Sequence, residues 1–162
     1  MTEPINLLDR GDYRDPSISP EGTRDTAPLD PAVAARNQEL VDDWADKLYN
    51  ASAETITEWA AEHAPGRLAV TMSMENTVLA ELAHQAKLDA DLLFIDTGWH
   101  FEETLAVAGD VEKRYADLPL VRVLPILSPE EQDKIYGPRL YARDTAAYNR
   151  MRKVEPLNMA MD

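Results

Sequence analysis

Cysteine is absent from all 162 residues. Its absence excludes disulfides, thiolate zinc sites, cysteine-ligated iron–sulfur clusters and cysteine nucleophiles on this chain. Long apolar runs are also missing: nothing approaches the roughly 18 residues of a membrane-spanning helix, so no membrane span is expected. The first residues, Met1-Thr2-Glu3-Pro4, show no basic stretch followed by an apolar one, so no secretory leader is expected and a cytoplasmic location is the default. Positive charge is scarce. Sixteen Lys and Arg stand against 30 Asp and Glu, a net charge of -14. Phosphates repel such a surface, which argues against non-specific nucleic-acid binding. A small anion held by a local cationic cluster is still compatible with it.

Hydrophobic residues make up 44% of the chain and charged residues 28%, the balance of a globular domain with a core. Residues 1–30 carry Pro4, Pro16, Pro20 and Pro28 among acidic and small polar residues, so a disordered tail is expected there. Residues 31–66 read as a helical segment. Asp30-Pro31 is an N-cap acceptor followed by proline at the first helical position, and Val33, Leu40, Val41, Trp44 and Leu48 form a stripe. A second helix begins near Ser52 and ends at Ala64-Pro65-Gly66, with His63 in a capping or surface position.

The remainder, residues 67–162, alternates strand and helix. Leu68–Met72 is a short first strand, and Val78, Leu79, Leu82, Ala83 and Ala86 form one face of a helix. Leu92–Ile95 is a continuous apolar run, the signature of a strand buried on both faces. Phe101, Leu105, Ala108, Val111 and Tyr115 mark the next helix, and Leu120–Leu124 the third strand. This order predicts an α/β fold with a doubly wound parallel sheet, three strands visible, preceded by two helices. Ser128-Pro129-Glu130-Glu131 is a capping box, and Pro156 is expected to kink or end a last helix over about 146–161. A sheet this narrow, with an open edge, invites self-association, so a homo-oligomer is one expectation.

Ligands of open α/β sheets bind at the carboxyl ends of the strands. The turn after strand one, Thr71 to Thr77, presents backbone N–H groups together with the side chains of Ser73, Asn76 and Thr77, although it holds no glycine. Asp96-Thr97-Gly98 closes strand two, where Asp96 suits a hydroxyl, a metal or an N-cap. His100, Glu102 and Glu103 do not share one helix face, so no metal site is expected from them. His84 reads as a surface or interface residue. The basic residues Arg139, Arg143, Arg150, Arg152 and Lys153 cluster in an otherwise acidic chain and suit phosphate or sulfate groups.

Asp96-Thr97-Gly98-Trp99-His100-Phe101-Glu102-Glu103-Thr104 resembles the D-T-G-x-x-F-x-E-T signature of the assimilatory adenylyl-sulfate and phosphoadenylyl-sulfate reductases. Glu131-Gln132-Asp133, Tyr141-Ala142-Arg143-Asp144 and Arg152-Lys153-Val154-Glu155-Pro156-Leu157 are similar to later segments of the same family, in the same order, with the actinobacterial type nearest. The resemblance implies an adenine-nucleotide α-hydrolase-like fold. It implies a substrate, adenosine 5′-phosphosulfate or 3′-phosphoadenosine 5′-phosphosulfate, reduced to sulfite with electrons from thioredoxin or glutaredoxin. The implied substrate-binding residues are Thr71, Met72, Ser73, Asn76, Thr77, Ile95, Asp96, Thr97, Gly98, Arg143, Arg152 and Lys153, with Arg152 and Lys153 facing the phosphosulfate.

Two departures from the family pattern bear on activity. Tyr148 and Asn149 stand where adenylyl-sulfate reductases carry paired cysteines for a [4Fe–4S] cluster, so no cofactor is expected on this chain. The family's C-terminal part, with its catalytic cysteine, is expected to be missing, which makes the polypeptide catalytically incomplete by itself. The alternatives are a nucleotide-binding or regulatory partner of a full-length reductase, and an ATP-cleaving enzyme of the same superfamily. The latter is disfavoured by Met72-Ser73-Met74-Glu75-Asn76, which lacks the S-G-G-x-D pattern of such enzymes.

Overall fold

The computed structural model describes residues 30–161; the tail expected over residues 1–30 lies, apart from Asp30, outside the described residues. Two helices come first. α1 (Pro31–Leu48) starts where Asp30 accepts a hydrogen bond from the Ala32 amide, and α2 (Ala53–His63) where Ser52 accepts from Thr55. Neither helix buries a residue fully. They are joined by an aromatic group: the His63 ring stacks on Trp59 at 5.0 Å and meets Trp44 edge-on at 4.9 Å. His63 thus belongs to a packed ring cluster rather than to the open surface.

A parallel sheet follows, in the order β1 (Leu68–Met72), β2 (Ala90–Ile95), β3 (Leu120–Val123). Val70 pairs with Leu92 across the first ladder and Phe94 with Arg122 across the second. Side chains of a strand alternate between faces. Leu92 and Phe94 therefore join one core with Met72, Leu120 and the crossover helices α3 (Val78–Gln85) and α4 (Glu102–Arg114). Leu93 and Ile95 face the opposite side, where Leu157, Met159 and Ala160 of α8 (Glu155–Met161) cover them. The α/β architecture read from the sequence is the one observed, with helices on both faces.

The apolar stripes of the crossover helices are narrower than the sequence suggests. Val78 and Leu79 are 59% and 52% exposed, while Ala80 and Ala83 are buried. Phe101, the N-cap of α4, and Leu105 in it face outward, and Ala108 and Val111, with Tyr115 just beyond the helix, make the contact. Alanines let both helices sit close to the sheet, and the first-turn apolar residues lie outside that contact. A side-chain network then pins the two helices together: Glu81 accepts from the Tyr115 hydroxyl at 2.9 Å and from Arg114 at 3.3 Å. These bonds, the Tyr115 one foremost, hold the Glu81 carboxyl below the usual carboxylate range. His84 pairs with Asp117 at the surface.

The C-terminal third is a chain of short helices. α5 (Pro129–Tyr136) begins with the full capping box, the Ser128 side chain accepting from the Glu131 amide and Glu131 from the Ser128 amide. α6 (Leu140–Arg143) and α7 (Thr145–Asn149) lead into a π-helical turn, Arg150–Val154, and then α8. Pro156 was expected to kink or end this helix, yet it sits buried in the first turn of α8. A proline has no N–H to offer the carbonyl four residues back. The widened turn before it shifts the pattern, the Glu155 amide reaching back to the Arg150 carbonyl, and the helix continues through.

Candidate functional site

The carboxyl ends of β1 and β2 open into a cavity of about 470 Å³. Its walls are Thr71, Met72 and Ser73 from β1 and the turn after it, Leu93, Phe94, Ile95, Thr97 and His100 from β2 and its turn, and Lys153, Val154 and Leu157 from the π turn and α8. A second groove of similar size lies between α1 and α2, lined by Leu40, Trp44, Leu48, Trp59 and His63. It is almost wholly apolar in its lining and offers little to orient a charged ligand. The first cavity combines an apolar wall with hydroxyls and one ammonium, the usual make-up of a small-molecule site.

Of the residues expected to bind substrate, Thr71, Met72, Ser73, Ile95, Thr97 and Lys153 line this cavity together. The others are not among its lining residues. Asn76 accepts a hydrogen bond from the Val78 amide, opening α3, and Thr77 holds the N-cap position without a side-chain bond. Asp96 is 5% exposed; one oxygen accepts from the Gly98 amide at 2.9 Å and the other pairs with Arg122. Its carboxylate builds the turn. Gly98 has φ +78°, and a Cβ there would stand 3.0 Å from the Pro129 ring. Only glycine combines that left-handed backbone with so close a neighbour at low cost.

Arg152 and Arg143 depart most from expectation. Arg152 is 1% exposed, and its guanidinium donates to Gln132 Oε1 at 2.7 Å, the Leu127 carbonyl at 2.7 Å and the Ser128 carbonyl at 3.1 Å. It ties the π turn to the start of α5 instead of facing the cavity. Burial pulls its pKa below the ordinary arginine value, and the carboxylates of Asp133 and Glu130 offset this in part. Arg143 donates to the carbonyls of Tyr136 and Gly137 and so caps the end of α5. Lys153 alone of the cationic cluster lines the cavity.

His100 is the lining residue that sequence reasoning weighed only for metal binding. Its Nε2 lies 3.2 Å from the Ile95 carbonyl, and its ring tilts against Phe94 at 5.0 Å. Leu93 and Phe94 were read only as strand residues, and Val154 and Leu157 only as members of a family segment; the spacing of Lys153 and Leu157, four apart, was a signal that both share one face. The iron–sulfur cluster suggested by the family resemblance does not fit the donor set. Tyr148 and Asn149 are not thiolates, Tyr148 packs edge-on to Tyr141, and no group of three or more His, Asp or Glu side chains among the described residues is placed to hold a metal.

Comparison with known proteins places these observations in context. Residues 67–162 match the model of the phosphoadenosine phosphosulfate reductase domain. The chain is 40% identical over 124 residues to the adenosine 5′-phosphosulfate reductase of Mycolicibacterium smegmatis, covering 76% of this chain and 52% of that protein. It is 41% identical over 111 residues to the Streptomyces coelicolor enzyme of the same name, covering 68% of this chain and 47% of the other. The chain thus spans about half the length of these curated relatives. Among solved structures, the phosphoadenylyl-sulfate reductase of Candida auris, a phosphate complex, superposes with a TM-score of 0.64 at 29% identity, covering 76% of this chain and 61% of that one.

Proposed function

We propose a function from the premise that the chain belongs to the phosphoadenosine phosphosulfate reductase domain family: its cavity binds a sulfonucleotide, adenosine 5′-phosphosulfate or the 3′-phosphorylated form. The polypeptide then serves as the nucleotide-holding part of a reductase of sulfate assimilation, which converts activated sulfate to sulfite with electrons from thioredoxin or glutaredoxin. The observation that carries the reading is Lys153. In a chain of net charge -14, the one cation lining the cavity among the described residues lies by the β1 turn and the apolar end of β2. A compact ammonium suits the phosphate group, and Ser73, Thr71 and Thr97 supply hydroxyls beside it. The Candida auris relative was solved as a phosphate complex, which supports an anion site in this fold.

The 162 residues contain no thiol, so this polypeptide's own contribution is to bind and orient the nucleotide. That favours a binding role over turnover by the chain alone, and a thiolate nucleophile has to come from outside these residues. No step is assigned to an iron–sulfur cluster, which the residues here do not fit.

The test is calorimetric or NMR titration of wild type and Lys153→Ala with adenosine 5′-phosphosulfate and AMP. A charge-assisted contact to phosphate is worth about 1.5–3 kcal/mol, so Lys153→Ala should weaken binding roughly ten- to a hundred-fold from a starting affinity near millimolar. Absence of binding by wild type at several millimolar nucleotide would remove the reading. Equal binding by both proteins would move the anion site away from Lys153.

A further inference from the structure

We infer that Arg152 is a positioning residue for the anion site: fixed by Gln132 and by two carbonyls ahead of α5, it sets the direction in which Lys153 enters the cavity. This rests on the nucleotide reading above. Arg152 and Lys153 are consecutive in the π turn Arg150–Val154. Consecutive helical residues point about 100° apart around the axis, so fixing one direction fixes the other. Lys153 has no hydrogen bond or ion pair of its own among the described residues. An ammonium on a flexible stem is then aimed by the backbone on which it stands.

That backbone is held through Arg152. Its side chain is 1% exposed and donates to Gln132 Oε1 at 2.7 Å, to the Leu127 carbonyl at 2.7 Å and to the Ser128 carbonyl at 3.1 Å. Gln132 is also 1% exposed. A guanidinium is planar, with its donors in a rigid fork, so three acceptors define its orientation as well as its place. The turn's other ion pair, Arg150 with Glu155 at 3.7 Å, joins it to its own continuation in α8. Arg152 Nη1 further lies 4.0 Å from where a Gly98 Cβ would stand. The turn that carries Thr97 and the turn that carries Lys153 therefore abut one buried group. A hydrocarbon side chain of similar volume would fill the same space without the cost of desolvating a charge. What the arginine adds is direction.

The experiment titrates the full chain with AMP and with adenosine, which lacks the anion, followed by NMR. Arg152→Met keeps most of the volume and removes the fork. It should weaken AMP roughly tenfold and adenosine by less than about twofold, whereas a merely structural arginine would lower both together. Combined with Lys153→Ala, it should cost nothing beyond Lys153→Ala alone, because residues that act through one another are not additive. Arg152→Lys, which keeps the charge without the fork, should bind AMP as weakly as Arg152→Met. Four results overturn the inference: unchanged AMP affinity in Arg152→Met, an equal loss for adenosine, losses that multiply in the double variant, or full retention by Arg152→Lys. If the Arg152 variants do not fold, by circular dichroism and a thermal melt, Gln132→Ala takes the place of Arg152→Met under the same criteria. If that variant also fails to fold, the Nε–H signal of Arg152 in wild type decides: it should move with AMP and not with adenosine, and any other pattern overturns the inference. Wild type that binds no AMP, or Lys153→Ala that binds it equally well, defeats the functional reading and this inference together. The other adverse results, with AMP weakened by Lys153→Ala, defeat the inference only.

Discussion

The chain contains two βα turns at the same edge of the sheet, and they are built in opposite ways. The turn after β2 is locked. Asp96 is buried, paired with Arg122 and bonded to the Gly98 amide, and Gly98 presses against Pro129. The turn after β1 is loose on its polar side. Ser73, Glu75 and Asn76 are exposed, and their local bonds are long, 3.4 Å from the Glu75 amide to Ser73 and 3.2 Å from the Val78 amide to Asn76. Its one anchor is Met74, 4% exposed and held at φ 62°. The turn that carries the most recognisable motif is thus tied down by internal bonds, and the less recognisable one leaves its polar groups exposed, with Ser73 on the cavity wall. A motif can be distinctive because its geometry is demanding rather than because it touches substrate.

Substitutions can break this contrast in order of expected size. Arg152 supports the locked side from beneath, its Nη1 lying 4.0 Å from where a Gly98 Cβ would be. Arg152→Ala strands the Leu127 and Ser128 carbonyls and Gln132 and leaves a void, so a loss of about 3–5 kcal/mol is expected in urea or thermal denaturation. Asp96→Ala comes next. It leaves Arg122 and the Gly98 amide without their partner, and removing one side of a buried pair costs about 3–5 kcal/mol; the partial exposure of Arg122 brings the expectation to the lower end, about 3 kcal/mol. Gly98→Ala should cost about 1–2 kcal/mol, from the left-handed backbone alone, with Pro129 adding to it. Ser73→Ala on the loose side should change stability by less than about 0.5 kcal/mol while weakening nucleotide binding a few-fold, measured by the same titration. Equal stability losses at Ser73 and Asp96 would erase the distinction between the turns.

Much of the scaffold could be read from residue order alone. The Ser128–Glu131 capping box, the N-caps at Asp30 and Ser52 and the buried run of β2 are local devices, each specified within a few residues, and each is present as expected. What escaped depends on partners far away in sequence. Arg152 looked like a phosphate ligand because it sits beside Lys153 in a basic cluster. Its fate is decided by acceptors 20 to 25 residues upstream, which no local pattern reveals. Val78 and Leu79 fit the apolar period of a helix, but exposure depends on how far the sheet extends beneath them. That His100 lines the cavity was not legible, because its bond to Ile95 arises from the tight return of the turn, five residues along. Lys153, on which the proposed function rests, was legible as part of a basic cluster in an acidic chain, but only the fold shows that it alone of that cluster lines the cavity.

The π turn at Arg150–Val154 can be considered as a phase marker along the chain. A π turn behaves as one residue inserted into an α-helix. Everything after it is therefore rotated by about 100° relative to an uninterrupted helix, since 3.6 residues complete a turn. That offset is what presents Leu157, Met159 and Ala160 to Leu93 and Val123. Deleting one residue here would leave the composition nearly unchanged and the local hydrogen bonding more regular. It would nevertheless dial α8 away from the sheet it covers and carry Leu157 out of the cavity wall. At this point in the molecule the count of residues, more than their identity, is the information the sequence has to preserve.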